Sequence, residues 1–166
     1  MLKRIALLLL LMAPMSVFAQ KFGYVKSLEI ITLMPEYVKA QADNKEMEAQ
    51  YKDEMKRLLN DLTKKYIEYQ KDAASLPKNI QDRRQKELQD LNERGMQYQQ
   101  DAQQVLQSAY EQSMEPVYKK FEDALKVVGD KGGYTYIIDL SRTDIPYINE
   151  EQFIDVTAEV RAVLGL

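Results

Sequence analysis

The chain has 166 residues, with 23 Lys plus Arg against 26 Asp plus Glu, and contains neither histidine nor cysteine. It therefore lacks the commonest general base, nucleophile and zinc ligands, and it can form no disulfide. The acidic balance argues against a nucleic-acid partner; with no G-x-S-x-G, glycine-rich phosphate loop or spaced acidic calcium loop, the chain does not read as an enzyme, and neither cofactor nor metal is expected.

Residues 1–19 have the form of a cleavable export signal. Lys3 and Arg4 precede an apolar run over residues 5–12, Pro14 breaks it, and Val17 and Ala19 suit a signal peptidase cutting after Ala19. The run is well short of the roughly 20 residues a membrane-spanning helix needs. The mature chain would be residues 20–166, with 21 basic and 26 acidic residues, a net charge of −5 after loss of Lys3 and Arg4.

Residues 20–35 form the first part of a body: a strand over residues 22–26, then a short helix over residues 28–34, capped by Ser27 and stopped by Pro35. Residues 36–128 read as a helical hairpin. From 36 to 76 there is no glycine or proline. Met47, Tyr51, Met55, Leu58, Leu62, Tyr66, Tyr69, Ala73 and Leu76 recur at steps of four, four and three, an eleven-residue period close to that of a straight helix. Some 41 residues at ~1.5 Å each give a rod of roughly 60 Å. Leu76-Pro77 ends it and places the tip near residues 76–80. Asn79 then caps a second helix over about residues 80–128, striped by Leu88, Leu91, Tyr98, Ala102, Val105, Ala109, Tyr110, Met114, Val117, Phe121, Leu125 and Val128. Gly95 weakens this helix by about 1 kcal/mol, and Pro116 is expected to bend it.

Tyr, Met and Ala occupy positions where a self-sufficient coiled coil carries Leu and Ile. Met47, Tyr51, Met55, Tyr66, Tyr69, Met96, Tyr98 and Tyr110 therefore have two readings. One is ordinary packing in the seam of the hairpin; the other is an adaptable binding surface, since methionine is flexible and tyrosine joins an apolar face to a polar edge. Lys78, Arg83, Arg84 and Lys86 make the tip basic, as either a solvated helix end or a weak contact with anionic lipid or an acidic partner.

Residues 129–166 complete the body. Gly129, Gly132 and Gly133 end the long helix. Residues 134–140 follow as a strand and residues 145–148 as a brief third strand with Pro146 at its edge. Residues 151–164 carry Phe153, Ile154, Val156, Val160, Val163 and Leu164 at helical spacing. The strand at 134–140 is expected to pair with that at 22–26, joining the two roots of the hairpin. So small a sheet leaves open edges. Either the terminal helix covers it in a monomeric α+β domain, or several copies close their strands into one barrel through Phe22, Tyr24, Val25, Tyr134, Tyr136, Ile138, Leu140 and Ile145. The second is the expectation carried forward.

The stretches "FGYVKSLEII" with Pro35, the long charged hairpin, "YTYIIDLS" and "IDVTAEVRAVL" occur in this order across the whole mature chain, and together they resemble the Skp/OmpH family of periplasmic chaperones. That resemblance implies an α+β fold: a small β-barrel body completed by homotrimerisation, with long antiparallel helical-hairpin tentacles. It further implies an ATP-independent periplasmic holdase that keeps unfolded outer-membrane β-barrel proteins from aggregating in a cavity between the tentacles. Familiar members are markedly basic, whereas residues 129–166 here carry three basic and seven acidic residues. A lipid contact is thereby weakened as an expectation. The alternative reading is an exported coiled-coil adaptor of the cell envelope.

Overall fold

The computed structural model describes residues 20–149 and 151–166, so the expected export signal at 1–19 lies outside the described residues. The fold is mostly helical, with one three-stranded sheet at the root of a long helical hairpin. Strand β1 (Lys21–Val25) leads through the short helix α1 (Ser27–Ile31) into α2 (Pro35–Asp72) and a single 3-10 turn (Ala73–Ser75). Helix α3 (Lys78–Gly132) returns to strand β2 (Tyr134–Asp139), and strand β3 (Phe153–Asp155) and helix α4 (Thr157–Leu164) close the chain.

Two prolines set the hairpin's punctuation. Pro35 occupies the first turn of α2, where its missing N–H costs nothing. Pro77 forces Leu76 into an extended conformation and ends the outward helix. The return helix starts at Lys78, ahead of the expected position, so Asn79 falls inside its first turn instead of capping it. The Ile80 and Gln81 N–H groups donate to the Pro77 carbonyl at 2.9 and 3.0 Å. The Gln81 side-chain amide donates to the carbonyls of Ala73 and Leu76, tying off the end of the outward helix. At the far end α3 runs through Pro116 and Gly129 to Gly132, and only Gly133, at φ 65°, takes the left-handed conformation that stops it. A glycine weakens a helix without ending it unless the backbone turns there.

The sheet has the order β2-β1-β3, with both outer strands parallel to β1. The expected pairing of β1 with the returning strand is present, Phe22 facing Tyr136 and Tyr24 facing Ile138. The third strand is not at residues 145–148 but at Phe153–Asp155, where Phe22 faces Phe153 and Tyr24 faces Asp155. Pro146 has no N–H to give a ladder, whereas residues 153–155 lie within reach of β1's free edge. The expected terminal helix is correspondingly shorter and starts at Thr157. Helix α1 likewise begins one residue early, and Ser27 is a buried first-turn residue rather than its cap.

The ends of these short elements are satisfied from across the body. Asp139 accepts hydrogen bonds from the N–H groups of Ser27 (3.2 Å) and Ser141 (3.0 Å), and the Ser141 hydroxyl accepts from the Leu28 N–H (3.1 Å). Asp155 accepts from the Thr157 N–H (2.9 Å), and the Thr157 hydroxyl accepts from the Lys26 N–H (3.1 Å). The sequences "IDLS" and "DVT" are thus capping devices that join both ends of the chain. Between Asp155 and Thr157, Val156 is fully buried.

Among the described residues the core cluster lies at this root, and Ala102 alone is buried outside it along the arm. Val25, Ile30, Ile31 and Met34 meet Met114, Val117, Phe121 and Val128 of α3, together with Val156 and Val160. A register shift opposite Lys21 leaves Thr135 without a partner, so Tyr134 and Ile137 both pack against the core. The Tyr134 ring lies close over Gly23 and Gly132, with the Lys21 ammonium 4.2 Å from its centroid.

A Cβ on Gly132 would overlap the Tyr134 ring. Gly132→Ala should therefore lower stability by about 1–3 kcal/mol, measured by urea titration. Burial opposes charge on Asp155, but hydrogen bonds from Thr157, the nearby Lys26 and the Tyr24 hydroxyl outweigh it and hold the carboxyl below its ordinary value of 3.8. A lowered folded pKa stabilises above that value, and the contribution is lost as pH falls through the folded pKa. Asp155→Asn should melt earlier than the parent at pH 7, with the difference shrinking below pH 3.8.

Candidate client-binding surface

Beyond the root the hairpin has no interior. Among the described residues, none between 41 and 101 is buried, and Ala40 and Ala102 mark the outer limit of burial on the two helices. Two helices alone share one seam, and each leaves most of its circumference in water. Helical propensity and i,i+4 side-chain pairs such as Lys78–Asp82 and Gln97–Asp101 support the rest.

The eight Tyr and Met positions differ in exposure. Met47, Tyr51, Met55, Tyr69 and Tyr98 are half-buried in or beside the seam, whereas Tyr66, Met96 and Tyr110 are 50 %, 53 % and 43 % exposed. The Tyr51 and Tyr98 rings meet across the seam in a tilted pair, with centroids 5.9 Å apart. Partial desolvation, then the nearby Glu54, raises the Tyr98 pKa. Leu59 at 53 % and Ile67 at 46 % join the exposed apolar surface. Sequence periodicity missed both because neither falls on the stripe that forms the seam.

Polar links join the arms at intervals. The Asn44 amide donates to the Ser113 hydroxyl at 2.8 Å, the Gln85 amide to the Tyr69 hydroxyl at 2.7 Å, and Lys120 pairs with Glu36. Lys65 pairs with Glu87, and that bond lowers the Glu87 pKa and raises that of Lys65. Glu87 also faces Arg84 at 3.6 Å, and Lys78 is bound to Asp82 at 2.8 Å. Of the four basic tip residues, only Arg83 and Lys86 make no salt bridge among the described residues.

In the body, Phe22, Tyr136 and Phe153 form a row across one face of the sheet, one from each strand, with centroids 4.8 and 5.5 Å from Phe22. Tyr136 remains 49 % exposed. Tyr24, Ile138, Leu140 and Ile145 are half-buried, whereas Val25 and Tyr134 face the subunit's own core. Ile145 lies in the connection between β2 and β3. There Arg142 reaches back to within 5.4 Å of the Tyr118 ring centroid, and Tyr147 stands 78 % exposed.

Among the described residues no helix is long and apolar enough to cross a membrane, and no cluster of acidic side chains is arranged to hold a metal ion. The family model for outer membrane protein (OmpH-like) matches residues 21–164. A crystal structure of a candidate outer membrane chaperone (OmpH-like) from Caulobacter crescentus CB15 superimposes with a TM-score of 0.70. It is 14 % identical and covers 87 % of this chain and 83 % of its own. No curated protein matches the chain significantly.

Gly95 lies mid-helix, and a Cβ added there meets no atom within 4 Å. Gly95→Ala should raise stability by about 0.5–1 kcal/mol, opposite in sign to the change at Gly132, when the two are compared by urea titration.

Proposed function

This chain belongs to the OmpH-like outer membrane protein family, and from that premise we propose that it is an ATP-independent periplasmic holdase for unfolded outer-membrane β-barrel proteins. The observation that carries the proposal is the absence of any buried residue between 41 and 101 among those described, on arms that expose Leu59, Tyr66, Ile67 and Met96. An arm without a core gives its apolar surface to whatever lies beside it. Tyr and Met make many weak, sequence-tolerant contacts, which suits a protein that must hold different unfolded chains and release them without a nucleotide. Each contact withholds an apolar or strand-forming segment from a second client.

Self-association supplies the enclosure. β2 and β3 each have one neighbour in the sheet, and the Phe22, Tyr136 and Phe153 row is partly in water. Three copies joining their sheets into a closed barrel would remove the open edges and send three hairpins from one body around a common space. Tyr24, Ile138, Leu140 and Ile145 would then pack at or near the joints, with Val25 and Tyr134 supporting them from within each subunit. Clients enter as unfolded chains with no covalent step, so neither a catalytic residue nor a cofactor is assigned. Arg83 and Lys86 give the tip a weak affinity for anionic lipid, limited by the pairing of Lys78 and Arg84.

The test is dilution of a urea-unfolded porin into the purified protein. The parent should keep the porin soluble at about one assembly per client. Replacing Tyr66, Met96 and Tyr110 with Ser should lower the soluble fraction severalfold while leaving the melting temperature nearly unchanged, because these side chains are exposed. Aggregation at the same rate with and without the parent protein would refute the holdase reading.

A further inference from the structure

Two concavities on the outer half of the hairpin merge along one face. The first, of about 340 Å³, takes Met55, Leu59 and Leu62 from α2 and Gly95, Met96 and Gln99 from α3. The second, of about 540 Å³, lies toward the tip and takes Tyr66 and Tyr69 from α2 and Gln85 and Gln89 from α3. Leu62 and Asn92 belong to both. Positions 55, 59, 62, 66 and 69 advance by four and three in alternation, as do 85, 89, 92, 96 and 99, so each set is one stripe of its helix. The α2 stripe is wholly apolar or aromatic. The α3 stripe is four side-chain amides and one methionine, and beside it Leu91 and Leu88 of the same helix also line the first and second concavities.

No charged side chain lines either concavity, in a chain that is 30 % charged. Three other concavities on the same hairpin each carry charge, with Lys45 and Glu48 in one, Lys65 and Glu68 in the next, and Glu111 and Glu115 in the third. The first concavity also lies in the least fastened part of the arm. Between the Tyr51–Tyr98 ring pair and the Lys65–Glu87 pair, no hydrogen bond or ion pair joins α2 to α3 among the described residues.

We propose that this paired stripe is a defined docking site for an extended, uncharged stretch of an unfolded polypeptide, which lays its apolar side chains along Met55, Leu59, Leu62 and Tyr66 while its backbone meets the amides of Gln89, Asn92 and Gln99. A side-chain amide both donates and accepts, so one row of Asn and Gln can serve the N–H and C=O groups of a backbone with no partner strand. A charged segment would lose hydration here without gaining a counter-charge. The two concavities are offset by seven residues of helix, about 10 Å at ~1.5 Å each. In the polyproline II conformation common in unfolded chains, residues three apart lie on one side and about 9 Å apart. The site thus selects apolar side chains at i and i+3. This refinement rests on the chaperone reading, because it identifies which segments of an unfolded client are gripped first.

The protein has no tryptophan, so a blocked, uncharged peptide bearing Trp and Leu three residues apart reports its own binding to the full-length protein by fluorescence. Saturable binding is expected. Gly95→Leu, which fills open space on a helix, should weaken it at least about tenfold, as should Asn92→Asp combined with Gln99→Glu, which leaves acceptors without donors. A peptide with Trp and Leu two residues apart should bind several times more weakly. No binding at millimolar peptide, or equal affinity for the parent and both variants, overturns the site. Porin solubility measured on the same samples separates the two claims: a parent that holds porin while its variants bind peptide unchanged loses this site and keeps its function.

Discussion

The structure depends on the pairing of one strand, β1, with two partners. β1 is the first element after residue 20, yet it is the central strand of the sheet, and both of its partners come from the far end of the chain. Until β2 and β3 arrive, β1 has no ladder on either side, and Val25 has no core to enter. The hydrogen bonds from Ser27 and Leu28 to Asp139 and Ser141, and from Lys26 to Thr157, bind the same three regions together at the helix ends. Loop closure over so long a separation is slow compared with local helix formation. The helical arms can therefore form before the body that anchors them.

The arms and the body obey different physics. At the root, Met114, Val117, Phe121 and Val128 lie under two or more elements and are fully or nearly fully buried. Along the arms, the same helix carries its apolar residues at similar spacing, but only one neighbour is present to cover them. Tyr and Met are tolerable there because each keeps part of its surface favourably in water or adapts its shape. An arm made of Leu and Ile at every seam position would pack more tightly on its partner and leave less apolar surface exposed.

Much of this was legible in the sequence, for reasons specific to each residue. Pro35 and the Leu76-Pro77 pair cannot lie in a helix interior, so the hairpin's ends were readable. The strand at residues 134–140 stood out because aromatic and β-branched residues alternate there. The third strand was not readable. Residues 153–155 are only three, and Phe153, Ile154, Val156 and Val160 fit a helical period equally well; their choice is made by β1's free edge, a tertiary fact. Gln81 as the clasp of the tip, and the unpaired Thr135 that turns Tyr134 toward the core, also depend on neighbours distant in sequence. The amides of Gln85, Gln89, Asn92 and Gln99 are exposed, and nothing in the sequence brings them beside the apolar stripe of α2 until the opposite helix is placed.

The central claim is that the small sheet is one share of a larger body, completed by copies of the same chain so that the arms enclose a common space. The mass of residues 20–166 in solution at micromolar concentration, measured by native mass spectrometry or sedimentation, tests this most directly. A species of three chains that persists on dilution is the expected result. A stable single subunit under the same conditions would contradict it, because a lone hairpin surrounds nothing.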